Sequence, residues 1–270
     1  MPSYLEITPD KLNRIIGTPN LPTIIDVRND EDFGSDPRLV PGSIRRDYRR
    51  VTEWGAGISG PMIVFCQRGQ KLGHGVAAHL RAMGKYAEVL EGGFEAWRDS
   101  GGALVPEVKL PGRDAQGRTV WVTRARPKID RIACPWLIRR FIDPSALFLF
   151  VPASEVVLVG DSFGATPFDI EDVFWSHRGE LCTFDVMVEE FGLKTDPLLH
   201  LARIVRGADT ARPDLAPEVP GLLAASLGLS RLFNDDLEQL EAGLTLYDAF
   251  YRWCRDATGE SHNWPNPRKG

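Results

Sequence analysis

No stretch of the chain approaches the roughly eighteen uninterrupted apolar residues that a membrane-spanning helix needs, so no membrane insertion is expected. The opening stretch from Met1 to Leu12 lacks both the basic start and the apolar core of a secretion signal. Cysteine is scarce: four residues, Cys66, Cys134, Cys182 and Cys254, none of them in a C-x-x-C pair. Thiols so widely spaced, in a long chain with no export signal, read as reduced side chains rather than a disulfide framework. Positive charge is also short. With 37 acidic against 32 basic residues the net charge is -5, which argues against nonspecific nucleic-acid binding but leaves room for local basic patches. There is no internal repeat. These absences together predict a cytoplasmic enzyme with no nucleic-acid partner.

What is present fits two modest cores better than one large one. Up to about residue 100, short β-rich runs alternate with helical ones. Thr23 to Val27, Met62 to Phe65 and Tyr86 to Leu90 read as strands. Leu72, Val76, Leu80 and Met83 recur at helical spacing before Gly84, a natural stop, and a short helix is expected around Phe94 to Trp97. Strands alternating with helices imply a parallel sheet covered on both faces. Residues 105–118, rich in glycine, proline and polar side chains, read as a linker between a first domain (1–104) and a second (119–270). In the second, Thr119 to Thr123, Leu147 to Val151 and Val156 to Val159 are expected strands. Ile129 to Asp143 and Leu237 to Cys254 are expected helices, and another runs from an Asp196 cap to Gly207. The second domain is thus a helix-rich α/β unit.

The loop Cys66-Gln67-Arg68-Gly69-Gln70-Lys71 follows a strand and precedes a helix. Free backbone N–H groups and the helix's positive end point into such a loop, and both favour a bound anion or a thiolate. Arg68 and Lys71 add positive charge, and Gly69 permits a tight turn. Sulfur transfer needs this combination: an ionised thiol, an anionic donor, and an anionic persulfide to hold afterwards. From the loop alone, a buried structural cysteine stays open as the alternative.

Four segments in order carry a resemblance: Ile25-Asp26-Val27-Arg28, Val40-Pro41-Gly42-Ser43-Ile44, the Cys66 loop, and Leu90 to Trp97. Over the first hundred residues or so the chain resembles the rhodanese family. That resemblance implies a rhodanese-like parallel sheet flanked by helices, with Cys66 as the persulfide-bearing nucleophile. Arg68 and Lys71 would assist it, Gln67, Gly69, Gln70 and Arg28 would bind the substrate, and Asp26 would give structural support. It implies a small anionic sulfur donor, a thiol or cyanide acceptor, and no cofactor for the transfer itself. The loop departs from the family where Gln67 follows the cysteine, where Lys71 replaces an arginine, and where Leu72 replaces a small hydroxyl residue, so the donor is less defined than the nucleophile. Phosphatases of related fold need an arginine where this chain has Leu72. The basic run Arg45-Arg46-Asp47-Tyr48-Arg49-Arg50 reads as a solvated face partly paired to Asp47 and Glu53.

Further stretches, Trp121 to Asp143, Ser176 to Asp185, Ile204 to Thr210 and Gly221 to Leu229, resemble the C-terminal domain of the chromate-resistance family called ChrB, over about residues 119 to 265. The resemblance implies a link to chromate stress but carries over no DNA-binding role. The residues themselves leave three readings. Asp130 shares a helix face with Cys134, and with His177, Glu180, Cys182 and Asp209 it can converge on a divalent metal, for which Asp130, His177 and Glu180 are the expected ligands. Alternatively Arg124, Arg126, Arg131 and Arg178 bind an oxyanion, or all these groups cap helices and pack cores. The function expected is sulfur transfer through a Cys66 persulfide, linked to chromate, oxyanion or metal stress. The alternative is a non-catalytic oxyanion- or redox-sensing binding protein.

Overall fold

The computed structural model describes residues 5–260. The ends, residues 1–4 and 261–270, lie outside the described residues, so the last part of the expected second domain and the first residues of the expected signal-free start do too.

The first half runs β1 (Glu6–Ile7), α1 (Pro9–Ile15), β2 (Thr23–Asp26), α2 (Asp30–Ser35), β3 (Arg38–Leu39), β4 (Ser43–Arg45), α3 (Val51–Trp54), β5 (Met62–Phe65), α4 (Lys71–Ala82), β6 (Ala87–Leu90), α5 (Gly93–Asp99) and β7 (Val105–Pro106). Strands β1, β6, β5, β2 and β4 form a parallel sheet in that order. The central strand β5 is buried at every position, as a strand covered on both faces must be. Helix α4 buries Gly73, Val76, Ala77 and Leu80 at helical spacing and ends before Gly84, whose φ of 76° is the left-handed stop expected.

The second half runs β8 (Val120–Arg124), α6 (Asp130–Leu137), β9 (Leu147–Val151), α7 (Val156–Phe163), β10 (Thr166–Pro167), α8 (Thr183–Glu190), α9 (Asp196–Asp209), α10 (Val219–Leu232) and α11 (Asp236–Asp256). A small parallel sheet, β10-β8-β9, is joined to a packed set of helices. Helix α6 continues as one π-helical stretch, Ile138–Ile142, and stops at Asp143, whose carboxylate accepts from Thr119 N at 2.6 Å and Ser145 Oγ at 2.7 Å.

Two expected elements are corrected. Val156 to Val159 is helical, not extended: Val156 and Gly160 are buried while Val157 and Leu158 are 51% and 61% exposed, a period that only a helix turns inward. The stop at Gly164, φ 61°, was the signal for it. Helix α9 does not close at Gly207 but runs on to Asp209. A Cβ at Gly207 would lie 2.4 Å from Val219 Cγ2, so glycine is there for the close approach of α10.

The expected linker is ordered along its length. Strand β7 pairs antiparallel with β3, Lys109 Nζ sits 2.5 Å from Glu190, and Arg113 reaches Asp143 at 3.2 Å. The two halves share one hydrophobic core, in which Leu12, Ile16, Phe94 and Trp97 join Trp136, Phe141, Phe191 and Tyr251. Across the seam Gly42 N donates to Phe141 O at 2.6 Å, and Arg255 Nη1 to Ile16 O at 3.3 Å.

Candidate functional site

Cys66 leaves the C-terminal end of β5, where the polypeptide turns into α4. Its sulfur accepts the Gln70 N–H at 3.3 Å, and the residue is 5% exposed. Gly73, on the first turn of α4, packs against the sulfur: a Cβ there would lie 3.5 Å from Sγ, at ordinary contact distance. The loop is locked from below by two glycines. A Cβ on Gly69, φ 61°, would meet Gly92 N, Gly93 N and Leu90 O at 2.7 Å, and one on Gly93 would lie 2.2 Å from Cys66 O. Phe94 N and Glu95 N donate to the carbonyls of Cys66 and Gln67, each at 3.0 Å. The motif Glu91-Gly92-Gly93-Phe94 is therefore the floor of the cysteine loop, a role its place in the sequence could not disclose.

The other expected groups divide. Gln67 donates to Glu95 Oε1 at 3.1 Å, and Arg68, with a side chain 70% exposed, lies 3.4 Å from Glu95 Oε2. Gln70 and Lys71 are exposed at the start of α4. Arg28, expected to bind substrate, is instead sealed in the interior. Its guanidinium grips Asp26 through Nε and Nη2 at 2.9 and 2.7 Å, donates to the carbonyls of Asp36 and Arg38, and lies 3.8 Å from the centre of the Phe94 ring. With its donors engaged and its side chain inaccessible, it braces the loop's support rather than meeting a substrate. Burial pushes the Asp26 carboxyl up, against the opposing pull of Arg28. The basic run is a solvated face in which Arg50 pairs with Glu53 as expected, Asp47 caps Arg49 N at 2.9 Å instead of pairing with an arginine side chain, and Arg45 pairs with Asp30 at 2.5 Å.

A second constellation lies in the other half. His177 Nε2 stands 3.4 Å from Asp130 Oδ2, 3.4 Å from Asp169 Oδ1 and 3.3 Å from Asp209 Oδ2. Four separate elements deliver these groups: the first residue of α6, the turn after β10, the irregular segment before α8, and the last residue of α9. Asp209 reaches the cluster because α9 continues past Gly207. The backbone is strained on both sides of it, with Ile129 at φ 43° and Asp169 at φ 54°. Thr183 clamps two of the carboxylates, its N–H to Asp130 Oδ2 at 2.7 Å and its hydroxyl to Asp169 Oδ1 at 2.9 Å. Arg124 and Arg131 approach Asp169 Oδ2 at 3.2 and 3.3 Å.

The electrostatics follow from this crowding. Burial, above all, pushes the Asp130 carboxyl up to about 7, with Asp209 and Asp169 adding repulsion. The three carboxylates gathered around it, Asp130 first, push the His177 imidazole up to about 12. Burial opposes ionisation of Asp169, yet His177, Thr183 and the two arginines hold its carboxyl below the ordinary range. Ligand oxygens of Asp130 and Asp209 lie within 4.8 Å of each other. Two unit charges that close repel by roughly 3 kcal/mol at an effective dielectric constant of about 20.

Glu180, expected as a ligand, does not take part. Its side chain is 87% exposed and its nearest charge is Arg212 at 3.8 Å. Asp169, which the sequence reading passed over, takes that place. It carries no motif of its own; the sole hint is an acid in a polar turn between two short elements. The thiols also stand apart: Cys182 Sγ lies 3.1 Å from Asp185 Oδ2 in a capping box, and Cys134 is fully buried. Burial pushes both thiols well up. Of the arginines considered for an oxyanion, Arg126 is bound to the carbonyls of Ser230 and Phe233, and Arg178 to Glu190.

Comparison with known proteins matches residues 8–100 to the rhodanese-like domain and residues 121–254 to the ChrB C-terminal domain. Protein ChrB of Cupriavidus metallidurans is 38% identical over 147 residues, which is 53% of this chain and 43% of that protein, so the match spans less than half of the curated relative. Among solved structures, a rhodanese-related protein from Thermoplasma volcanium is 22% identical, with a TM-score of 0.34, covering 38% of this chain and all of the other. A rhodanese-like domain protein from Staphylococcus aureus is 24% identical, with a TM-score of 0.31, over 34% of this chain and 89% of its own.

Proposed function

From a chain whose residues 8–100 match the rhodanese-like domain and whose residues 121–254 match the ChrB C-terminal domain, we propose a sulfurtransferase that passes sulfane sulfur through a Cys66 persulfide. The observation that carries this reading is the seat of Cys66 at the β5–α4 turn, with the Gln70 N–H directed at its sulfur. A helix start and a backbone donor stabilise negative charge there, in the thiolate and then in the persulfide.

In the first half-reaction the Cys66 thiolate attacks the outer sulfur of an anionic donor such as thiosulfate. A new S–S bond forms, the donor's own S–S bond breaks, and sulfite leaves with the electron pair. In the second, a thiol or cyanide attacks the terminal sulfur. The Cys66 thiolate departs and the acceptor leaves as a new persulfide or as thiocyanate. No external oxidant or reductant is needed, and the kinetics are ping-pong. Arg68 and Lys71, exposed at the mouth of the loop, attract the anion. The fused second domain supports a role in chromate, oxyanion or metal stress.

Thiosulfate:cyanide turnover and intact-mass spectrometry of wild type and Cys66→Ser test the reading. Wild type should turn over and gain the mass of one sulfur atom on incubation with donor. Cys66→Ser should lose at least about 1,000-fold of the activity and gain no sulfur. Absence of turnover and of any sulfur adduct in wild type with several donors would overturn it in favour of oxyanion or redox sensing.

A further inference from the structure

We propose that Asp130, His177 and Asp209, with Asp169 beside them, bind one divalent cation of hard or borderline character, of the Zn²⁺ or Mn²⁺ class. The site is independent of Cys66 and goes beyond the sulfur-transfer reading.

The first argument is geometric. A neutral imidazole nitrogen carries at most one hydrogen and can satisfy one carboxylate, at an N···O distance of about 2.9 Å. Here one nitrogen faces three carboxylate oxygens at nearly equal, longer distances of 3.4, 3.4 and 3.3 Å. Hydrogen bonding to a single N–H does not produce that pattern. Ligands around an ion do: with bonds of about 2.0–2.2 Å, a nitrogen stands about 3.3–3.6 Å from its neighbouring ligand oxygens, and the ligand atoms of Asp130, His177 and Asp209 all lie within 4.8 Å of one another.

The second argument is an orphaned oxygen. Asp130 is completely buried, and its Oδ1 has no hydrogen-bond partner. A buried carboxylate left half satisfied is costly, and a cation beside it removes the cost.

The third is charge. Arg124 and Arg131 compensate Asp169 from outside, on its Oδ2, leaving Oδ1 facing His177. Among the described residues, Asp130 and Asp209 form no arginine or lysine pair and are paired with His177 alone; once His177 gives up its proton to serve as a ligand, their two negative charges match a dication. Thr183 fixes the orientation of Asp130 and Asp169, as groups behind metal ligands commonly do.

The donor set selects the ion class. Carboxylates with one imidazole suit hard and borderline divalent ions, and the thiols that would favour soft ones are engaged elsewhere or sealed away. His177 is 41% exposed and Asp209 20%, so the ion enters from that side while Asp130 and Asp169 form the buried floor.

The test uses the full chain, stripped with chelator, dialysed, and titrated with Zn²⁺ and with Mn²⁺ by calorimetry, with thermal melts in parallel. One ion per chain should bind, and the melting temperature should rise with ion concentration. Asp209→Asn and His177→Gln alter the two more exposed ligands, so the fold should survive, which circular dichroism checks; each should weaken binding about 100-fold or more. Glu180→Gln, Cys182→Ser and Cys66→Ser should bind as wild type does. Absence of binding by the wild type, or undiminished binding by folded Asp209→Asn and His177→Gln, would overturn the site. Loss of binding in Cys182→Ser would overturn this ligand set. Retained binding in a Cys66→Ser protein without sulfur transfer separates the two readings.

Discussion

At the scale of single residues, the pair Asp26 and Arg28 shows how the cysteine loop is supported from beneath. Asp26 is a buried carboxylate at the end of β2, and Arg28 is its counter-ion, with no access to solvent. Removing one partner of a buried pair leaves the other uncompensated, at about 3–5 kcal/mol. Arg28→Ala should therefore lower unfolding free energy in denaturant by about that amount. Arg28→Ala combined with Asp26→Asn should recover part of it, because the stranded charge is gone. If instead Arg28 contacted substrate, the single variant would retain stability and lose donor affinity. The motif Ile25-Asp26-Val27-Arg28 was legible in sequence as part of a family pattern. The direction in which Arg28 points was not, since its partners include carbonyls of Asp36 and Arg38, supplied by a different turn.

At the scale of elements, the segment between the two halves behaves as a strap rather than a tether. Its composition of glycine, proline and polar residues predicted a linker, yet Lys109 and Arg178 both hold Glu190 at the end of α8. Those hydrogen bonds keep the Glu190 carboxyl below its ordinary value of 4.5. Because the folded value lies below the unfolded one, the stabilisation is fully present above about pH 4.5 and is lost as pH falls through the folded value. Glu190→Gln should cost about 1 kcal/mol at neutral pH. Its stability deficit relative to wild type should shrink below pH 4, which acid-unfolding curves of the two proteins will measure. A deficit unchanged with pH would mean that packing, not ionisation, explains the loss. Helix α7 makes the complementary point: four apolar residues suit a strand or a buried helix, and only the faces that the neighbouring sheet covers decide between them.

At the scale of the whole molecule, one core continues from the first half into the second. Gly17 marks the seam. With φ 78° and an added Cβ only 2.4 Å from Phe141 Cζ and 2.8 Å from Tyr251 Cε1, it lets the first half approach the aromatic cluster of the second. Gly17→Ala should destabilise the protein by about 1–3 kcal/mol through overpacking, besides the strain of a left-handed turn. Calorimetry should show both halves unfolding in one transition in wild type. Two well-separated transitions would contradict a shared core.

The sequence by itself determined the parts that depend on near neighbours: the strand–loop–helix around Cys66, the alternation that makes the sheet parallel, and the stop of α4 at Gly84. These features need only a period, a glycine or a short motif, and all lie within a few residues of one another. Asp130, His177 and Asp209 were among several groups the sequence offered for a metal site; the tertiary structure decided that these three converge and added Asp169, because four elements whose spacing encodes no ligand pattern bring them together. It also decided which acids take part. Glu180 is only three residues from His177 yet faces solvent, whereas Asp169 and Asp209 are carried to the imidazole by the turn after β10 and by α9. Convergence of side chains from distant segments is set by how helices and sheet pack, and that information is carried by the core rather than by the residues at the site.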